Sequence, residues 1–135
     1  MYQHTIQLRV RYGETDQMGY VYYGNYASYY EVGRVEALRN LGMSYRELEE
    51  SGVMMPVLEN HSYYHQPVLY DDLLTLKVTL ADMPSVKIAF EYEFRNQDNV
   101  LVHSGKTILA FMKADTKLPC RPPASLISLL HPYFS

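Results

Sequence analysis

Three stretches of this chain alternate apolar and polar residues with a period of two, and that pattern limits the fold more than any other feature. Ile6, Leu8, Val10 and Tyr12 alternate with Gln7, Arg9 and Arg11. Leu74, Leu76, Val78 and Leu80 alternate with Thr75, Lys77 and Thr79. Val86, Ile88, Phe90, Tyr92 and Phe94 oppose Lys87, Glu91 and Glu93. Successive side chains of an extended strand point to opposite faces, so each stretch reads as a half-buried strand of the antiparallel type. The first stops at Gly13. Asp82-Met-Pro-Ser85 and Asn96-Gln-Asp-Asn99 supply turn residues between the later ones, which predicts hairpins and a meandering order. Val100 to Met112 is apolar on both sides around Gly105, as suits a central, doubly covered strand. A further extended stretch from Met54 to Pro67 brings the expected number of strands to five.

One long helix is expected from about Asn25 to Leu41, with Asn25 as N-cap and Gly42 as its stop. At helical spacing Tyr26, Tyr30, Gly33, Ala37 and Leu41 share one side while Val32 and Val35 lie elsewhere, so the helix needs cover on several sides. A shorter helix is expected over Ser44 to Glu50, opened by a Ser44-x-x-Glu47 capping box, and a last turn or helix after Pro122-Pro123. Strand, long helix, four strands is an α+β order, in which an antiparallel sheet curls around one helix.

At 135 residues the chain fits one domain, residues 1–135, with a substantial core. A net charge of -3, with no run of Lys or Arg, speaks against a nucleic-acid binder that works by neutralising phosphates. No apolar run approaches the roughly 18 residues of a membrane span. The lone Cys120 has no internal partner, and the first residues lack the pattern of a signal peptide, so a cytoplasmic address is expected.

Chemistry concentrates between residues 12 and 31. Tyr12-Gly-Glu-Thr-Asp16, then Met18-Gly19-Tyr20-Val21-Tyr22-Tyr23, then Asn25-Tyr26 entering the helix, resembles the hotdog-fold acyl-CoA thioesterases of the 4-hydroxybenzoyl-CoA thioesterase type. Glu31, Arg34, Glu36 and Leu38 echo the helix of that family, and Tyr64-His-Gln-Pro67 with Asp71-Asp72-Leu73 echoes its strands. The resemblance covers most of the chain and weakens after Lys113. It implies a hotdog fold, with a five-stranded antiparallel sheet wrapped around one long central helix. The implied activity is hydrolysis of a short-chain or aromatic acyl-CoA to free acid and CoA, without cofactor or metal, in a homodimer or homotetramer whose site forms between subunits. Acyl carrier protein is the alternative thiol carrier.

By position the resemblance makes Asp16 the catalytic carboxylate, as nucleophile or general base. It gives the backbone N–H of Tyr23 to the thioester oxygen and places Tyr12 beside the catalytic group. Glu31 would line the acyl pocket, and Ser85, Lys87 and Lys113 lie where the family holds CoA phosphates. Several relatives carry histidine where this chain has Tyr23. A phenol with a reference pKa near 10 is a weaker proton donor at neutral pH than imidazolium, so the burden falls on Asp16 and backbone polarisation. The physics agrees, since a carboxylate folded back by Gly19 over a helix start meets unpaired N–H groups and the positive end of the helix dipole.

Plainer readings stand beside these. Asp16 is also a residue that caps turns before glycine. The tyrosines, each with a large apolar body and one hydroxyl, read mostly as wall and core. Glu31 and Arg34, three apart on the helix, are spaced to pair with each other. His61 and His65 would be roughly 13 Å apart on an extended strand, too far to share a metal ion. His4, His103 and His131 carry no partner pattern, and Cys120 has no base beside it. Two other functions fit a similar scaffold: a hydratase, whose His-acid motif is missing from the sequence, and a non-catalytic module that binds acyl-CoA or acyl carrier protein.

Overall fold

The alternating stretches do form strands, and their apolar sides meet the long helix. The computed structural model describes residues 1–134. In chain order the elements are β1 (Tyr2–Arg9), α1 (Asn25–Leu41), α2 (Tyr45–Glu50), β2 (Val53–Met54), β3 (Val57–Tyr64), β4 (Leu73–Leu80), β5 (Lys87–Arg95), β6 (Leu101–Ala110), β7 (Met112–Lys113) and α3 (Ala124–Leu130). Five strands make one antiparallel sheet in the order β1-β4-β5-β6-β3, and β2 pairs with β7 in a small second sheet.

Leu74, Leu76, Val78 and Leu80 of β4 and Ile88, Phe90, Tyr92 and Phe94 of β5 are all buried against Tyr26, Tyr30, Ala37 and Leu38 of α1. Each fully buried Leu or Phe contributes roughly 1.5–3 kcal/mol relative to exposure, which is why the period-two pattern and the helical stripe select each other. The opposite face of the sheet is polar, with Lys77 and Glu93 paired across β4 and β5 at 2.9 Å. Gly42, left-handed at φ 117°, ends α1 as expected, and its N–H donates to the Leu38 and Arg39 carbonyls. Ser44 accepts the Glu47 N–H at the start of α2, and α3 follows Pro122-Pro123.

Several expectations are corrected. Asn25 is not the N-cap. Gly24 takes that place, and the Asn25 side chain donates instead to the Glu14 carbonyl at 2.7 Å. Tyr12 does not continue the inward face of β1, because the chain leaves the strand at Arg9 and enters a 3-10 turn that turns its ring outward, 78% exposed. The stretch from Met54 to Pro67 is two strands rather than one, interrupted before Val57. β6 is buried on one side only; Ser104, Lys106 and Ile108 on its other side are half-buried. The order is only partly a meander. β4, β5 and β6 follow one another, but β1 joins beside β4 and β3 lies outside β6, so β3 becomes an edge. Among the described residues no helix is long and apolar enough to cross a membrane.

Candidate active site

The loop between β1 and α1 is sewn down on both sides. Val10 exchanges hydrogen bonds with the 71–72 backbone at 3.0 and 3.1 Å, and the Val21 N–H donates to the Val68 carbonyl at 2.7 Å. Glu14 locks the loop to the helix. Its carboxylate accepts the Arg11 N–H at 2.8 Å, the Arg11 guanidinium at 3.2 Å and the Tyr29 hydroxyl at 3.0 Å. Burial pushes the Glu14 carboxyl up, but hydrogen bonds from Arg11 and Tyr29 outweigh it and leave the group below its ordinary value.

Asp16 begins the next turn. Its N–H donates to the Tyr20 carbonyl at 2.8 Å, and its Oδ1 accepts from the Met18 and Tyr20 amides at 2.9 and 3.3 Å. Gly19 sits in that turn at φ +81°, a conformation that costs a side-chain-bearing residue energy. The turn-capping role is therefore real, and it uses one carboxylate oxygen. Oδ2 has no hydrogen-bond partner among the described residues.

The same turn delivers the chain to the helix. The Tyr22 N–H donates to the Glu14 carbonyl at 2.9 Å, and the first helical bonds run from the Asn25 and Tyr26 amides to the Tyr22 and Tyr23 carbonyls. The N–H groups of Tyr23 and Gly24 between them are without a partner among the described residues, as the first amides of a helix are. Asp16, Tyr23, Tyr26, Tyr64 and His65 line one cavity of about 350 Å³, open to solvent. The half-buried carboxylate and the start of the helix thus share one recess, where the helix dipole favours developing negative charge.

Behind the recess the wall is solid. His103 is fully buried, lies flat on Tyr26 with ring centroids 3.7 Å apart, and meets Tyr64 edge-on at 4.9 Å. Its Nε2 is 2.5 Å from the Tyr30 hydroxyl, which also reaches Ser62 Oγ at 2.7 Å. The other ring nitrogen, Nδ1, is buried without a partner. Burial, and secondarily His65, pushes the imidazole down to about 4, so it is neutral at physiological pH. Gly105 makes room for this arrangement, since a Cβ there would collide with the Tyr30 hydroxyl and come within 2.9 Å of the His61 carbonyl oxygen. No local pattern in the sequence points to His103, because its partners lie on α1 and β3.

The remaining candidates are placed elsewhere. Tyr12 packs edge-on against Tyr70 and does not line the recess. Tyr23 is exposed, its ring tilted on Tyr22 at 4.7 Å. Glu31 is exposed and forms no ion pair with Arg34. Arg34 turns inward instead, 6% exposed, and donates to the Tyr45 and Tyr92 hydroxyls at 3.3 and 3.1 Å. Ser85 lines a separate cavity of about 400 Å³ with Arg121, and Lys87 and Lys113 are exposed on the strands nearby. His61 and His65 bond separately to Glu59 and Ser104.

Comparison with known proteins decides the lineage. The model of the thioesterase-like superfamily matches residues 10–130. The chain belongs to that superfamily. A candidate acyl-CoA thioesterase, YneP of Bacillus subtilis (strain 168), is 36% identical over 90 residues, 67% of this chain and 65% of the relative, so the match spans just under two thirds of YneP's length. The acyl-CoA thioester hydrolase YbgC of Escherichia coli O157:H7 is 26% identical over 90% of both chains. Among solved structures, the DHNA-CoA thioesterase of Staphylococcus aureus superposes with a TM-score of 0.86 at 31% identity, covering 99% of this chain and 85% of that one. The hotdog architecture expected from the sequence is the one observed, a five-stranded antiparallel sheet against one long helix.

Proposed function

We propose that this thioesterase-superfamily member hydrolyses acyl-CoA thioesters, with short-chain or aromatic acyl groups, and that Asp16 does the chemistry. The observation that carries this reading is the recess that Asp16, with one carboxylate oxygen uncommitted, shares with Tyr23, whose amide is unpaired at the start of the helix. The names of its relatives, acyl-CoA thioesterases among them, support the substrate class. With the thioester carbonyl oxygen on that amide, negative charge that develops during attack is held by a donor already in position. As a general base, Asp16 takes a proton from water while the water oxygen attacks the carbonyl carbon; the C–S bond breaks, and CoA leaves as a thiolate that is then protonated. As a nucleophile, Asp16 attacks the carbonyl carbon itself, expels the thiolate, and leaves a mixed anhydride that water cleaves. Both routes use the amide of Tyr23 rather than its phenol.

The working unit is a homodimer, or a tetramer built from it. β3 is an edge strand with Val57, Leu58, Tyr63 and Tyr64 exposed, and a second copy that adds its own β3 antiparallel removes that edge. Such pairing also brings together what one chain keeps apart. Asp16 lies beyond the end of β1 next to the start of β4, whereas Ser85 follows the end of β4, roughly 23 Å away at ~3.3 Å per residue. Antiparallel pairing turns the Ser85 end of one subunit toward the Asp16 end of the other, where Ser85, Lys87 and Lys113 serve the CoA phosphates. Glu31 stands on the exposed side of α1, toward the acyl group.

A panel of acetyl-, butyryl-, benzoyl- and hydroxybenzoyl-CoA assayed for thiol release tests the proposal. Turnover of at least one member is expected; binding without thiol release from any of them would leave the binding-module reading instead.

A further inference from the structure

A second groove, of about 280 Å³, lies beside α2 and is lined by Tyr45, Leu48, Val53, Met54, Met55 and Pro56. We propose that in the dimer this groove of one subunit receives the far end of the acyl chain whose thioester is cleaved at the other subunit's Asp16. The inference rests on the edge-paired thioesterase of the preceding section and extends it to uncharged aliphatic chains longer than the catalytic recess can hold.

Two observations lead there. The first is that the recess at Asp16 is closed at its back within its own subunit. Its back wall is Tyr26, and behind that ring His103 and Tyr30 are both fully buried and packed on each other. Tyr64 and His65, exposed at the β3 edge, line one open side of the recess, and a chain longer than a few carbons can leave it there.

The second is what stands on that side once two copies pair. With the two-fold axis at the middle of β3, between Asn60 and His61, the partner's Val57 lies opposite Tyr64. The partner's Pro56 and Met55 then continue beside His65 and Gln66, which line the recess. Both cavities lie on the helix side of the sheet, the first against α1 and the second against α2, which Arg34 ties to α1 through Tyr45. Antiparallel pairing therefore joins the recess of one subunit to the groove of the other.

The lining sets the class of ligand. Unbranched thioether side chains adapt to a flexible chain better than branched ones do. Glu49 also lines the groove, and its carboxylate disfavours acyl groups that end in a carboxylate.

The test compares decanoyl-CoA with butyryl-CoA in the full-length protein. Met54→Trp, which fills the groove, should lower the decanoyl-to-butyryl ratio of kcat/KM at least about tenfold, as loss of a few methylene contacts does. Met54→Ala, which widens it, should raise the ratio. Mixed dimers isolated through two different tags, one subunit carrying Met54→Trp and the other Asp16→Asn, place the remaining intact Asp16 opposite an unaltered groove and should recover the wild-type ratio. A ratio unchanged in both single variants, equal loss at both chain lengths in both, or mixed dimers that keep the Met54→Trp ratio would overturn the inference. A wild type confined to short or aromatic acyl-CoAs would overturn it too while leaving hydrolysis standing. A wild type that cleaves no acyl-CoA would instead sink the preceding proposal.

Discussion

Glu14 and Asp16 are close neighbours on one loop, both half-buried, yet the structure treats their carboxylates differently. Glu14 is saturated: Arg11 holds it through amide and guanidinium, Tyr29 through its hydroxyl, and its backbone carbonyl takes the Asn25 amide and the Tyr22 N–H. Asp16, which lines the recess, spends one oxygen on the turn and leaves the other without a partner among the described residues. The comparison separates a carboxylate that holds the loop from the one to which the proposed function gives the chemistry. A carboxylate with both oxygens engaged is a fastener, whereas one that lines a cavity with an oxygen left without a partner is available for chemistry.

Four substitutions test that distinction, in decreasing order of effect. Asp16→Asn keeps an Oδ1 acceptor for the Met18 and Tyr20 amides but removes the base or nucleophile, so turnover should fall about 10²–10⁴-fold with the melting temperature nearly unchanged. Glu14→Gln should do the reverse, costing about 1–3 kcal/mol of stability in urea unfolding and reducing turnover only as far as the loop loosens. Tyr29→Phe removes one bond to Glu14 and should cost about 0.5–1.5 kcal/mol. Tyr23→Phe keeps the amide and loses only an exposed phenol, so turnover should change less than about threefold, well below the loss from a working acid–base group. A large loss in Tyr23→Phe would mean that the phenol, not the backbone, acts on the thioester.

Glu14 and His103 both make the fold sensitive to acid, in different pH ranges. Glu14 is depressed in the folded state, so its stabilisation is complete above the ordinary value of 4.5 and is lost as pH falls through its lower folded value. His103 is depressed as well, from 6.5 to about 4, and the unfolded chain takes up a proton there before the folded chain does. Stability therefore declines as pH falls from 6.5 toward 4, and unfolding curves of His103→Asn should lose that part of the slope.

Much of the frame was legible in the sequence, because local rules produced it. Period-two alternation located β1, β4 and β5, Gly42 marked the helix end, and Ser44 marked the next start. Asp16 and Gly19 were readable as a turn feeding a helix. What escaped were consequences of distant partners. Tyr12 follows the alternation of β1 but falls past the strand's end, where a 3-10 turn has no reason to keep the register. Arg34 looked like a surface partner for Glu31 until Tyr45 and Tyr92 drew it inward. His103 has no neighbouring pattern at all, since Tyr26, Tyr30, Ser62 and Tyr64 reach it only after the sheet has closed over the helix. The position of β3 outside β6 is likewise a pairing between strands far apart in the chain, and it leaves β3 as an exposed edge.

The most direct test is to incubate Asp16→Asn protein with an acyl-CoA that the wild type cleaves, isolate the complex, and weigh the bound ligand by mass spectrometry. The account predicts intact acyl-CoA on the variant and CoA with free acid from the wild type. Free CoA released by the variant at the wild-type rate would contradict it.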